Sequence, residues 1–226
     1  MAIVESPSTG LTINTLAELF GDMPAWRIRN VPAPGTATED DVIEIEERED
    51  RLCELVDGVL VEKTVGYEES CLTVELIALI RNFVKAHKLG RVSGPDGMMR
   101  LFPGLVRIPD VAFASWKRFP ESRGTRKPLP DLVPDLAVEV LSEGNTPKEM
   151  SRKLDDYFDA GVRLVWFVDP RKRTVEVFTG RKSSKLLRER ETLSGGKVLS
   201  GFSVPLEELF ADEERAPLPA RKKRSR

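Results

Sequence analysis

The chain has 226 residues, 40% of them apolar and 32% charged, with a formal net charge of −2. That length suffices for one well-buried domain with extended ends, and the composition is that of a soluble globular protein. The first residues have neither a basic flank nor an apolar core, and no run approaches the roughly 18 apolar residues of a membrane span. No signal peptide, membrane segment or membrane partner is therefore expected, and the expected location is cytoplasmic. Cys53 and Cys71 are too few and too far apart for a zinc site or disulfide framework, and both are expected to be reduced core residues. The single histidine, His87, argues against zinc-protease or histidine-metal nuclease chemistry, so any hydrolysis must run on carboxylates and lysine.

Charge is unevenly spread. Residues 1–50 hold eleven acids against three arginines, the last six residues are Arg-Lys-Lys-Arg-Ser-Arg, and the body between is close to neutral. A near-neutral body lacks the strong basic footprint of many nucleic-acid binders. The terminal basic run fits either electrostatic steering of nucleic acid or a solubilising tail.

In chain order, residues 1–14 read as disordered, 15–23 as a short helix, and Val31–Thr38 as a Pro/Gly linker. An acidic helix is expected over 39–50, its acids marking a solvated face. Asp57-Gly58 between two apolar runs predicts a hairpin of 51–56 with 59–63. Leu72, Leu76, Leu79, Ile80 and Phe83 predict an amphipathic helix from 69 to 88, stopped at Gly90. Strands are expected near 91–101 and 105–115, then a loop over 116–133 and a strand over 135–142. Thr146, Pro147 and Glu149 form an N-cap, first-turn proline and capping box for a helix over 146–160, which Gly161 ends. Strands at 163–168, 173–178 and 185–191 follow, then a strand and short helix within 198–210.

A strand, a helix and another strand in that order predict neighbouring parallel strands. With the flanking hairpins this gives the expected fold class: mixed α/β, a central mixed sheet flanked by helices, with an added N-terminal hairpin.

Two of these strands carry a lone carboxylate, Asp110 after Pro109 and Glu139 within Leu136–Leu141. An isolated buried acid costs several kcal/mol unless it is paired or binds a cation. Side-chain alternation puts Glu139 on one face with Ala137 and Leu141, opposite Leu136, Val138 and Val140. Two acids at one sheet end suit Mg²⁺ or Mn²⁺, hard ions that prefer oxygen donors. Lys153, at the edge of the helix stripe, could reach back to orient a water or stabilise charge on a phosphorane-like transition state. The plainer readings are a turn cap at Asp110, a structural Glu139–Lys153 salt bridge and a surface lysine. Asp135, roughly 13 Å from Glu139 along the strand, is too far away to share an ion with it.

Ile108-Pro109-Asp110 followed by Glu139 resembles the Asp…(Asp/Glu)-x-Lys centre of the PD-(D/E)XK nuclease superfamily. Glu54-Leu-Val-Asp57-Gly58, Pro134-Asp-Leu-Ala-Val-Glu-Val-Leu-Ser142, Lys153-Leu-x-x-Tyr157 and Ala160-Gly-Val162…Trp166-Phe-Val-Asp169 are similar to the Uma-type family of bacterial restriction-endonuclease-like proteins. The resemblance spans roughly 51–210. It implies a restriction-endonuclease-like fold over 51–211, behind an N-terminal extension over 1–50 and before a disordered basic tail over 212–226. It further implies a Mg²⁺- or Mn²⁺-dependent endonuclease acting on DNA, with Asp110 and Glu139 as metal ligands, Lys153 as a migrated catalytic lysine and Glu54 as a further acid. Members of the superfamily often act as homodimers. One departure stands out: the usual lysine position, two residues after the second acid, is Leu141.

The loop Trp116-Lys-Arg-Phe119…Arg123-Gly-Thr-Arg-Lys127 carries five positive charges and one acid. With Trp116 and Phe119 interleaved, it fits a phosphate-and-stacking surface or a plain solvated loop. The rival to an active enzyme is a catalytically degenerate nucleic-acid-binding or regulatory module on the same fold. A second rival is a structural protein whose acids pair internally.

Overall fold

The computed structural model describes residues 11–64, 66–119 and 127–211. The first ten residues, Arg123 and Arg126 of the basic loop, and the basic tail lie outside the described residues.

The elements run α1 (Ile13–Phe20), α2 (Glu39–Glu49), β1 (Cys53–Val56), β2 (Val59–Glu62), α3 (Tyr67–Ala86), β3 (Gly90–Ser93), β4 (Met99–Phe102), β5 (Leu105–Arg107), β6 (Val111–Ser115), β7 (Leu136–Val140), α4 (Pro147–Ala160), β8 (Leu164–Asp169), β9 (Thr174–Gly180), β10 (Ser183–Arg188), β11 (Thr192–Ser194), β12 (Ser203–Pro205) and α5 (Leu206–Leu209). β10-β9-β8-β7-β6-β3 form a six-stranded sheet, β2-β1-β5-β4 a second sheet, and β11-β12 a small ribbon. The fold is thus the expected mixed α/β arrangement.

α4 forms where its local signals put it. Thr146 accepts from the Glu149 amide, Glu149 completes the capping box, and Gly161 closes the helix at φ 92°. Met150, Leu154 and Tyr157 recur at helical spacing and are buried. They fix which face meets the sheet. α4 links β7 to β8, which pair in parallel as the crossover predicts. β7 is buried along its whole length, as suits a central strand covered on both faces.

The two faces of β7 meet different cores. Leu136, Val138 and Val140 pack with α3, α5 and the ribbon. Ala137 packs with α4 and with Val56, Val59 and Val61 of the hairpin. The hairpin turn has both Asp57 and Gly58 at positive φ, as its sequence requires. Its other face packs Cys53, Leu55 and Leu60 under Val42 and Ile45 of α2. The acidic helix is therefore solvated on one side only.

Several expectations need correction. The run expected as one strand over 105–115 is two strands in different sheets, broken over Ile108-Pro109-Asp110. Proline has no amide to continue a ladder. The strand expected over 91–101 likewise divides, because Gly94, Pro95 and Gly97 turn the chain between β3 and β4. β11 lies in a stretch not expected to form a strand. Cys53 is buried, but Cys71 is exposed on α3. Among the described residues no helix is long and apolar enough to cross a membrane.

Candidate active site

The broken strand creates the site. β6 begins at Val111, paired with Val138 of β7. One residue further along that register, Asp110 lies across from Glu139. Like charges directly opposite on neighbouring strands are destabilising unless cations intervene. Two lysines intervene. Lys153 Nζ lies 3.0 Å from Glu139 Oε2, and Lys63 Nζ lies 2.9 Å from Asp110 Oδ1. Asp110 Oδ2 accepts the Val140 amide at 2.7 Å, a donor that the ladder leaves open where β6 stops.

Glu54 joins from the second sheet. Alternation along β1 turns it to the side of Val56, toward α4, while Cys53 and Leu55 face α2. Its Oε1 lies 3.1 Å from Lys153 Nζ and accepts the Ile108 amide at 3.1 Å. Its Oε2 pairs with Arg107 at 2.7 Å. Arg107 in turn grips Asp156 of α4. β1 is an inner strand, and Glu54 is only 2% exposed.

All four residues singled out in the sequence, Glu54, Asp110, Glu139 and Lys153, are thus brought together and buried. Four others were missed as participants. Tyr157 donates its hydroxyl to Glu139 Oε1 at 2.5 Å. It follows Lys153 by one helical turn, so both reach the same carboxylate, and that i, i+4 spacing was a readable signal. Arg107 was readable as a charge inside an apolar strand. Lys63 and Asp156 gave no local signal. Asp135, as expected, stands apart at the far end of β7, held by the Ser115 amide, Arg118 and Arg163. Leu141 is partly buried against the α4 core, so the usual lysine position carries no charge.

The carboxylates are tuned in opposite directions. Burial works to raise Glu54, but Lys153, Arg107 and the Ile108 amide outweigh it and hold the carboxyl at about 2. Burial raises Glu139, and the neighbouring charges of Asp110 and Glu54 add to it while Lys153 opposes them. Burial works against the Lys153 ammonium, yet Glu139 and Glu54 keep it protonated well beyond the ordinary lysine range. Lys153 is therefore a fixed cation and donor, not a base, at neutral pH. Burial and Glu139 push the Tyr157 hydroxyl well above its usual range, so it too remains a donor. Pairs of titrating groups driven apart in this way are a mark of acid–base machinery.

The profile of the Uma2 family, described as "Putative restriction endonuclease", matches residues 39–207. The chain belongs to the Uma2 family. A search of curated proteins finds no match. Among solved structures, the chain is similar to a crystal structure titled as a putative nuclease belonging to DUF820 from Anabaena variabilis ATCC 29413. That likeness has a TM-score of 0.66 and 20% identity over 76% of this chain and 97% of the other. At that identity the likeness speaks for the fold. The Uma2 stretch takes in α2, both sheets and every member of the buried cluster.

Proposed function

We propose that this Uma2 protein is a divalent-metal-dependent endonuclease that hydrolyses DNA phosphodiester bonds. The observation that carries the reading is the 3.0 Å contact of Lys153 with Glu139, which sets a lysine from α4 beside the second acid of the proposed centre. Asp110 and Glu139 fit Mg²⁺ or Mn²⁺ as facing hard-oxygen donors whose crowded negative charge already raises Glu139. They would hold the ion, with water completing its shell. Among the described residues no group of three His, Cys, Asp or Glu side chains is arranged to add a further protein ligand. When bound, such an ion lowers the pKa of an attacking water and offsets charge on the departing oxygen.

The chain's own groups have separate tasks. Lys153 presents a permanent positive charge to the non-bridging oxygens as water adds to phosphorus and the phosphorus–oxygen ester bond breaks. Tyr157 fixes one oxygen of Glu139, and Glu54 holds Lys153 on its other side. Arg107 keeps Glu54 ionised.

A second reading, a catalytically inactive nucleic-acid-binding module, is favoured by one observation: Lys63 and Lys153 already neutralise the carboxylates an ion would need. Calorimetry with Mn²⁺, comparing wild type with Glu139→Ala, separates the two. Binding lost in the variant supports the ion centre. No binding by a folded wild type favours the inactive module. With an ion centre, Asp110→Asn should abolish DNA cleavage while leaving DNA binding largely intact.

A further inference from the structure

A groove of about 380 Å³ opens where the end of α3 meets β3, lined by Arg81, Lys85, Lys88, Arg91 and Trp116. We propose that this groove is a separate binding site for single-stranded nucleic acid. The inference rests on the chain acting on nucleic acid, and names where a strand is held away from the reacting centre.

The charge is one-sided. Residues 76–95 contain these four cations and no acid. All four cationic residues are exposed, and none has an ion pair among the described residues. Several surface arginines elsewhere, Arg29, Arg100, Arg152, Arg173 and Arg181, each have a carboxylate partner. Arg81 and Lys85 are one helical turn apart, a like-charge spacing that costs helix stability. The α3 dipole offsets part of that for Lys85, but acts only over the last turn and leaves Arg91, on β3, unexplained. Phosphates placed between these side chains would relieve the repulsion.

The aromatic wall is built and held. Trp116 is 50% exposed, and its indole N–H donates to the Lys88 carbonyl at 2.9 Å. The Arg91 guanidinium lies 5.9 Å from the centre of the Trp116 ring and 5.5 Å from that of Phe119. β3 comes close enough for this only because residue 90 is glycine: a Cβ there would sit 2.0 Å from the Ala114 carbonyl oxygen. A fixed indole beside a row of cations suits a stacked base with its neighbouring phosphates, and a base is available for stacking in a single strand. The groove lies at the opposite end of β6 from Asp110, six residues or roughly 20 Å of extended chain away. It is also on the α3 face of the sheet, opposite Glu139. It is therefore not part of the carboxylate cluster.

The test is fluorescence anisotropy of the whole chain, in EDTA, with a fluorescein-labelled oligothymidylate of about 20 nucleotides, longer than a typical single-strand site. Wild type is compared with Arg81→Glu/Lys85→Glu, with Trp116→Ala and with Glu139→Gln, each checked for fold by circular dichroism. The charge-reversed protein should bind at least about tenfold more weakly. Its salt dependence should be shallower by about 1.4 in log–log slope, at about 0.7 per lost phosphate contact on a single strand. Trp116→Ala should weaken binding as well, and Glu139→Gln should not. Equal binding by wild type and the charge-reversed protein overturns the groove and leaves the nuclease reading untouched. So does wild-type binding that is tighter to a duplex of the same length, because no base is then free to stack. A wild type that binds no oligothymidylate also overturns it. The nuclease reading is decided separately, by Mn²⁺ binding at Glu139 and by cleavage.

Discussion

Lys63 Nζ lies 2.9 Å from Asp110 Oδ1 and donates to the Ile108 carbonyl at 2.6 Å. An ammonium held between a carboxylate and a backbone carbonyl occupies ground that suits a hard cation. The side chains of Lys63 and Asp110 are 9% and 10% exposed, against 6% for both Glu139 and Lys153. Replacing Lys63 by Met removes the competing charge and keeps the apolar stem, so Mn²⁺ affinity should rise on the order of tenfold, or about 1.4 kcal/mol. Calorimetry reads this directly. An unchanged or weaker affinity would mean that Lys63 does not compete for the ion.

Lys153 bridges two buried acids, so its loss should be costly. Lys153→Met leaves Glu54 and Glu139 facing each other without their shared cation, and breaking a buried pair in this way costs about 3–5 kcal/mol. Urea unfolding should show this as a lower midpoint. Adding Glu139→Gln should return part of the loss, giving a coupling energy on the order of 1–3 kcal/mol in a double-mutant cycle. Additive losses would show that the two side chains do not interact energetically.

Acid should weaken the fold through Glu54. Its carboxyl is held at about 2 against an ordinary value of 4.5, so its contribution is fully present above 4.5 and drains away as pH falls toward 2. Integrated over that interval the contribution is roughly 3 kcal/mol. Glu139 runs the other way: raised in the fold, it takes up its proton more readily there, which offsets part of the acid loss. The stability advantage of wild type over Glu54→Gln, measured by urea unfolding, should therefore stay level from pH 6 to about 4.5 and shrink from there to pH 3. A constant gap would contradict the depressed value.

Gly90 sets how closely β3 approaches β6. Gly90→Ala puts a methyl group 2.0 Å from the Ala114 carbonyl oxygen, a backbone atom with little room to move. Overpacking of this kind costs about 1–3 kcal/mol. A thermal scan should show a lower Tm, and an unaltered Tm would mean that the edge strand shifts freely.

The elements legible in the sequence depend on neighbours a few residues away. Thr146, Pro147 and Glu149 start α4 because cap and first-turn chemistry are completed within one turn. Asp57-Gly58 turns the hairpin because both residues accept positive φ. Alternation along Leu136–Val140 assigned Glu139 to its face, and the succession of strand, helix and strand put β7 beside β8 in parallel. Those rules act at short range, and so the sequence by itself determined the fold class, the crossover and the side of the sheet on which the second acid lies.

What joins the site together acts across long separations. Lys63 meets the Ile108 carbonyl 45 residues away, and Glu54 meets Arg107 across 53. Each pairing depends on which distant segments the fold sets side by side, as when β1 and β5 pair within one sheet, and no local period or cap encodes that. Pro109 signalled an interruption, but that the chain passes there from one sheet to the other follows from packing. Only the tertiary structure decided that Glu54 is buried, that two lysines neutralise the carboxylates, and that Lys153 reaches Glu139 while Leu141 brings no charge there. The physical reason is that burial and charge compensation are properties of the assembled core, whereas helix and turn formation are properties of a few consecutive residues.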